Sequence, residues 1–189
     1  MPIEEIVESQ GLEFEKHLVT TEDGITLELH RVYENSTSGK PPFLMQHGLL
    51  GSSESFLLNG EDASAQKFAR LGYDVWVGNN RISLYSRRHN PNYDLNCSFW
   101  EMAKFDLVAD VDYILSTTTK SKIAYMGHSE GTQIVFTALA ENFGNIRQKL
   151  NVFVALAPVT SSSAPKNVLS LAFSKALPHI AQILELFEI

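Results

Sequence analysis

The chain has 189 residues, 44% hydrophobic and 20% charged, the make-up of one globular domain and not of a disordered polymer. Its 15 Lys and Arg against 22 Asp and Glu leave a net charge of −7 with no basic stripe to neutralise phosphates, which argues against a nucleic-acid partner. The single Cys97 rules out an intrachain disulfide and reads as a small buried hydrophobe.

Met1-Pro2-Ile3-Glu4-Glu5 has neither the basic nor the apolar region of a secretory signal, and no apolar run approaches the ~18 residues of a membrane span. Residues 13–20 and 25–32 alternate around Glu22-Asp23-Gly24, which predicts a hairpin. Residues 35–41 form a polar loop. Residues 43–46, 74–77, 123–126 and 152–157 are short apolar runs of the buried parallel kind. Helix patterns fall between them, over about 64–71 ending at Gly72, 98–115 and 131–142. Such alternation predicts an α/β fold with a mostly parallel sheet and its ligand crevice at the carboxyl ends of the strands. The tail over 166–189 is apolar with helical spacing, which fits an ordinary core helix and the start of a lipid-facing cap equally. Asn35-Ser36-Thr37 and Asn96-Cys97-Ser98 match the N-glycosylation acceptor pattern, which matters only in a secreted chain.

Gly127-His128-Ser129-Glu130-Gly131 lies directly between the strand run ending at Met126 and a helix run. Strand, G-x-S-x-G and helix in that order make a nucleophile elbow, where bulky neighbours would clash and glycines two residues either side of the serine fit. Ser129 is the expected nucleophile. A serine hydroxyl needs donors for the oxyanion, and the buried run 43–46 is followed by His47-Gly48-Leu49-Leu50-Gly51, where an α/β-hydrolase places its oxyanion loop. The Leu49 N–H is the expected first donor. The second is the Glu130 N–H, which opens the following helix and gains from its dipole.

On this fold the triad runs Ser, then Asp or Glu, then His. No aspartate follows Asp112, the carboxylates downstream of the 127–131 motif are Glu141, Glu185 and Glu188, and the histidine downstream of it is His179. Glu141 is expected on the helix leaving the elbow, pointing away from the site, and His179 in the tail. His128 sits beside the serine but points elsewhere, and His17, His30 and His89 read as non-catalytic. No residue of this chain is therefore expected to serve as triad Asp or His, and no metal or cofactor is expected.

Several stretches together resemble the acid lipase family, the group of gastric and lysosomal acid lipases. They are Val19-Thr20-Thr21-Glu22-Asp23-Gly24 with residues 27–31, Gln46-His47-Gly48-Leu49-Leu50, and Val75-Trp76-Val77-Gly78-Asn79-Asn80-Arg81 with Tyr85-Ser86-Arg87-Arg88-His89. Phe99-Trp100-Glu101-Met102-Ala103-Lys104-Phe105-Asp106-Leu107 and Ala155-Leu156-Ala157-Pro158-Val159 continue the likeness to about residue 160. The resemblance implies an α/β-hydrolase fold truncated before its last strands, with residues 1–160 as the N-terminal part of the core and 161–189 as the start of a cap or lid. It implies hydrolysis of triacylglycerols or sterol esters through a serine acyl-enzyme, at a lipid–water interface, by a family that is secreted or lysosomal. The family's catalytic Asp and His come from a C-terminal portion that these residues do not include. Glu130 stands where the family has glutamine, and Ile82 where it has glycine. The alternative expectation is a catalytically dead, truncated remnant that binds lipid or a partner chain through an uncovered strand edge.

Overall fold

The computed structural model describes residues 2–37, 39–92 and 97–160. The chain divides into two compact units, Met1–Val159 and Thr160–Ile189, and every element below belongs to the first. The cap expected over 161–189 and His179 lie outside the described residues.

A short helix α1 (Ile3–Glu8) leads into the hairpin β1 (Glu13–Thr20) and β2 (Thr26–Tyr33), whose turn is closed by Thr21 and by Gly24 at φ +86°. Then follow β3 (Pro42–Gln46), α2 (Glu54–Leu57), α3 (Ser64–Arg70), β4 (Asp74–Gly78) and α4 (Leu84–Arg87). A long helical stretch comes next as α5 (Phe99–Glu101), a π-helical segment (Met102–Asp106) and α6 (Leu107–Thr118). It is followed by β5 (Ile123–His128), α7 (Glu130–Glu141), α8 (Ile146–Lys149) and β6 (Leu150–Leu156). The six strands lie in the order β1-β2-β4-β3-β5-β6, with β1, β2 and β4 antiparallel neighbours and β4, β3, β5 and β6 parallel.

The alternation of side chains along each central strand builds one core on each face of the sheet. Leu44 of β3 and Trp76 of β4 face α6 and α7, packing with Val111, Ile114, Ile134 and Val135. Their neighbours Phe43, Met45, Val75 and Val77 face the other way onto Val7 of α1, Leu57 of α2 and Ala65 and Ala69 of α3. Strands buried on both faces read as unbroken apolar runs, which is why they were legible as parallel strands.

The structure departs from the sequence expectation at element ends. Strand β5 runs on through Gly127 and His128, because both continue the ladder with Ala155 and Leu156 of β6. The helix expected over 98–115 is interrupted by the π segment, whose extra residue per turn accompanies a buried ion pair from Asp106 to Arg81. It is opened by a capping box between Ser98 and Glu101 and closed by Thr119 in the left-handed conformation. The expected strand 152–157 starts two residues earlier, and the short helices α1, α2, α4 and α8 carry too few turns to show periodicity.

Candidate active site

Strands β3 and β5 are parallel neighbours, so their carboxyl ends deliver Gln46-His47 and His128-Ser129 to the same edge of the sheet. Ser129 has φ +51° and ψ −114°, outside every region that a residue with a side chain occupies comfortably. Strain of this kind costs about 1–3 kcal/mol and persists only where surrounding contacts over-determine it. Here the contacts come from both sides. The Ser129 N–H donates to Leu156 O of β6 (2.9 Å), and the Ser129 carbonyl accepts from both the N–H (2.9 Å) and the hydroxyl (2.6 Å) of Thr132. The Thr132 hydroxyl in turn accepts from the Val159 N–H (2.9 Å), tying the turn to the segment after β6.

The glycines are dictated by backbone proximity. A Cβ on Gly127 would lie 2.6 Å from the Gly131 carbonyl, so the two flanks of the elbow touch main chain to main chain. A Cβ on Gly131 would lie 2.5 Å from Gln46 O, so the first turn of α7 rests against the end of β3. On the other side of the serine, a Cβ at Gly48 would stand 3.0 Å from Ser129 Cβ. The loop 47–51 therefore closes directly over Ser129. Leu50 in this loop has φ +57°, and a Gly51 N–H to Gly48 O bond of 3.0 Å fixes the turn.

Among the described residues, neither the Leu49 N–H nor the Glu130 N–H donates a backbone hydrogen bond, and both belong to segments that flank Ser129. The Leu49 and Leu50 side chains are exposed, 47% and 55%, which puts apolar surface at the mouth. His47 is fully buried, with Nδ1 donating to Gly48 O (2.8 Å) and Nε2 accepting from the Asn80 N–H (3.4 Å). Burial pushes its imidazole down to about 4, so near neutrality it is an uncharged brace of the loop. Burial raises the Glu130 carboxyl to about 7, and its Oε2 has no hydrogen-bond partner among the described residues.

Of the remaining histidines, His128 borders the loop, its Nδ1 standing 3.3 Å from where a Cβ on Gly48 would lie, and the others are placed elsewhere. His128 is solvent-exposed at the end of β5, His17 bonds Glu15 and Tyr113, His30 bonds Glu28 and Ser53, and His89 bonds Glu28. Among the described residues, no histidine nitrogen is bonded to the Ser129 hydroxyl. Glu141 is exposed at the far end of α7, about 18 Å along the helix from Ser129. No group of three or more His, Cys, Asp or Glu able to hold a metal occurs among the described residues, and none of their helices is long and apolar enough to cross a membrane.

Behind the site, Arg81 is buried and joins two carboxylates. Its backbone N–H, Nε and Nη2 reach Asp106 at 2.9, 2.8 and 2.7 Å, and Nη1 reaches Asp23 at 2.8 Å. Burial lifts Asp106 to about 6 against the pull of Arg81, whereas at Asp23 the hydrogen bonds from Arg81 outweigh burial and hold it below the usual carboxylate range. The turn after Arg81 closes through Ser83 N–H to Asn80 O (2.9 Å), and Ile82 takes it at negative φ, so no glycine is required there. Sequence reasoning assigned no role to Thr132, Asn79, Asn80 or Ser53. A buried threonine just after the elbow glycine and two adjacent asparagines at a strand end were the available signals.

The family described as a partial alpha/beta-hydrolase lipase region matches residues 3–60, and the alpha/beta hydrolase fold family matches residues 41–184. The chain is 40% identical over 182 residues to lipase lipl-3 of Caenorhabditis elegans, covering 90% of this chain and 45% of that protein. It is 38% identical over 172 residues to the lysosomal acid lipase/cholesteryl ester hydrolase of Macaca fascicularis, covering 85% of this chain and 43% of that protein. The chain thus spans about half the length of the curated relatives it matches. Among solved structures, the Pyrococcus furiosus esterase Pf2001 superposes with a TM-score of 0.64 at 16% identity, over 92% of this chain and 63% of that one. With that sheet and a family match over residues 41–184, this chain belongs to the alpha/beta hydrolase fold family, and the curated relatives it matches are named as lipases, one of them a lysosomal acid lipase/cholesteryl ester hydrolase.

Proposed function

We propose that this chain carries the nucleophile and the oxyanion donors of a lipase, a serine carboxylic-ester hydrolase acting on lipid esters such as triacylglycerols or sterol esters. The observation that supports this most directly is Ser129, held at φ +51° and ψ −114° with Gly48 packed against it. The lipid substrate follows from the acid lipase relatives, and the exposed Leu49 and Leu50 suit an apolar acyl chain.

In the proposed reaction Ser129 Oγ attacks the ester carbonyl carbon while its proton passes to a histidine base. The carbonyl oxygen becomes an oxyanion, held by the Leu49 and Glu130 N–H groups. Collapse expels the alcohol, which takes the proton from the histidine, and leaves an acyl ester on Ser129. Water then attacks that ester, giving its proton to the same histidine, and the carboxylic acid leaves as Ser129 regains its hydrogen. The base and its orienting carboxylate are proposed to come from outside residues 2–160, so turnover at a lipase rate is proposed for the whole protein. Loss of triad members costs roughly a million-fold in turnover while leaving about a thousand-fold over water, and residues 2–160 by themselves are expected in that residual range.

The test is covalent labelling of the whole protein, base included, by a fluorophosphonate, read as an adduct on the peptide that contains Ser129. Labelling is expected in the wild type and absent in Ser129→Ala. An adduct on another serine that survives the substitution removes the assignment.

A second reading, a non-catalytic remnant that binds a partner chain, is favoured by β6. Among the described residues that strand is one edge of the sheet, and its Val152 is 54% exposed and Leu156 40%. An unpaired apolar edge recruits another strand. Light scattering at micromolar concentration separates the readings, since a clean monomer argues against edge association.

A further inference from the structure

A second Ser–His–carboxylate chain lies inside the molecule, away from Ser129. His30 Nε2 donates to Glu28 Oε1 at 2.8 Å, and His30 Nδ1 accepts from Ser53 Oγ at 2.8 Å. The three residues are 1% (Glu28), 0% (His30) and 0% (Ser53) exposed, so no substrate reaches them and the chain is not a reacting triad. Its charge is balanced within the cluster. Burial would raise the Glu28 carboxyl, but hydrogen bonds from His30, Arg88 and His89 outweigh it and hold the group at about 2. An ionised Glu28 only accepts, which fixes the hydrogen on His30 Nε2 and leaves Nδ1 for the Ser53 hydroxyl. The His30 ring is further held between Phe14 (5.0 Å between centroids) and Tyr85 (4.8 Å).

What this cluster holds is the far end of the loop that closes over Ser129. Ser53 lies two residues beyond Gly51, and its N–H donates to Asn79 Oδ1 (2.9 Å). Asn79 Nδ2 donates to Glu28 O (3.0 Å), and Asn79 O accepts from Ser86 Oγ (2.7 Å), which itself accepts from the Glu28 N–H (3.0 Å). The near end is held by the next residue of the same strand end, since the Asn80 N–H reaches His47 Nε2. Between these two anchors, 47 and 53, Leu50 is kept at positive φ and Gly48 is pressed on Ser129.

We infer that His30, bridging Glu28 and Ser53, is a positioning residue for the loop 47–53, and that through this loop it sets the distance from the Leu49 N–H to Ser129. The inference rests on the proposed role of Ser129 and Leu49, and it assigns the ion pairs around Glu28 a purpose that stability alone does not require. A buried polar cluster of this size is an expensive way to fill a core, and an apolar set of similar volume would serve packing as well.

The test uses His30→Leu, which keeps volume and removes both bonds, His30→Gln, whose carboxamide can donate to Glu28 and accept from Ser53, and Ser53→Ala, which deletes one hydroxyl. Two quantities are read on the folded whole protein, base included: hydrogen exchange of residues 47–58 by mass spectrometry, and the rate constant for fluorophosphonate labelling of Ser129. His30→Leu and Ser53→Ala are expected to speed exchange in that segment and to slow labelling by about tenfold, short of the roughly hundred-fold that a misplacement of about 1 Å costs. His30→Gln is expected to restore both. A fall in melting temperature with exchange and labelling unchanged overturns the inference, and so does faster exchange with labelling unchanged. If His30→Leu does not fold, Ser53→Ala decides by the same readouts. If the wild type is not labelled at Ser129, the proposed function fails, and exchange alone then decides whether His30 holds the loop.

Discussion

Replacing Gly131 by alanine adds one methyl group at the most crowded point of the site. The new Cβ would sit 2.5 Å from Gln46 O and 2.9 Å from His47 O, both backbone atoms that cannot rotate away. Carbon–oxygen contacts need about 3.3 Å, so α7 has to back off β3 by about 0.8 Å. Overpacking of this kind costs about 1–3 kcal/mol, while alanine in place of glycine in a helix returns up to about 1 kcal/mol. A net loss of about 2 kcal/mol lowers the melting temperature of a chain this size by roughly 4–8 °C. Labelling should suffer more than stability, because the same contact sets where the Glu130 N–H and the Ser129 hydroxyl stand relative to the loop 47–51, and such a shift is worth up to about a hundred-fold in rate. Thermal melts by circular dichroism and fluorophosphonate kinetics measure the two effects. A variant with the wild-type melting temperature and labelling rate would refute the close approach of α7 to β3, and with it the placement of the elbow.

Glu130 has a folded value pushed up to about 7 by burial, above its ordinary 4.5. The folded state therefore binds the proton more tightly than the unfolded one, and this contribution is fully present below about 4.5 and is lost as the pH rises through 7. Its full size is about 3 kcal/mol, so the wild type should lose stability against Glu130→Gln between pH 4.5 and 7 in parallel melts, and parallel curves would refute it. Arg81→Met should lower stability by about 3–5 kcal/mol in urea unfolding at neutral pH, because Asp106 is left buried without its partner. The adjoining double variant, Arg81→Met with Asp106→Leu, should recover most of that loss, and a double variant as unstable as the single one would locate the damage elsewhere.

The tight strand-to-helix turn at Ser129 was readable because its requirements are local: two glycines, a serine between them, a strand before and a helix after. The α/β class was readable for a similar reason, since strands such as Pro42–Gln46 and Asp74–Gly78 are apolar on both faces. The strand order was not, because the insertion of β4 between β2 and β3 depends on pairings such as His30 with Val77 that leave no local trace. The same limit hid Ser53 and Asn79, whose roles arise from partners 23 and 26 residues away in the chain. Glu130 was visible as a departure from the family glutamine, but the lack of a partner at its Oε2 among the described residues became visible only in three dimensions.

The bond from the Ser129 N–H to Leu156 O, with Val159 reaching back to Thr132, also has a consequence for how the protein is made. A ribosome finishes the pentapeptide some 25 residues before it supplies the strand that holds Ser129 in its strained turn. Until β6 has left the exit tunnel and docked, the serine has no reason to hold an unfavourable backbone angle and relaxes into an ordinary loop. The smallest nascent chain able to hold Ser129 in its strained turn has therefore emerged as far as Val159, not only as far as Gly131, and in an arrest series that begins at Met1 protection of the Ser129 amide from exchange should appear with the emergence of that edge.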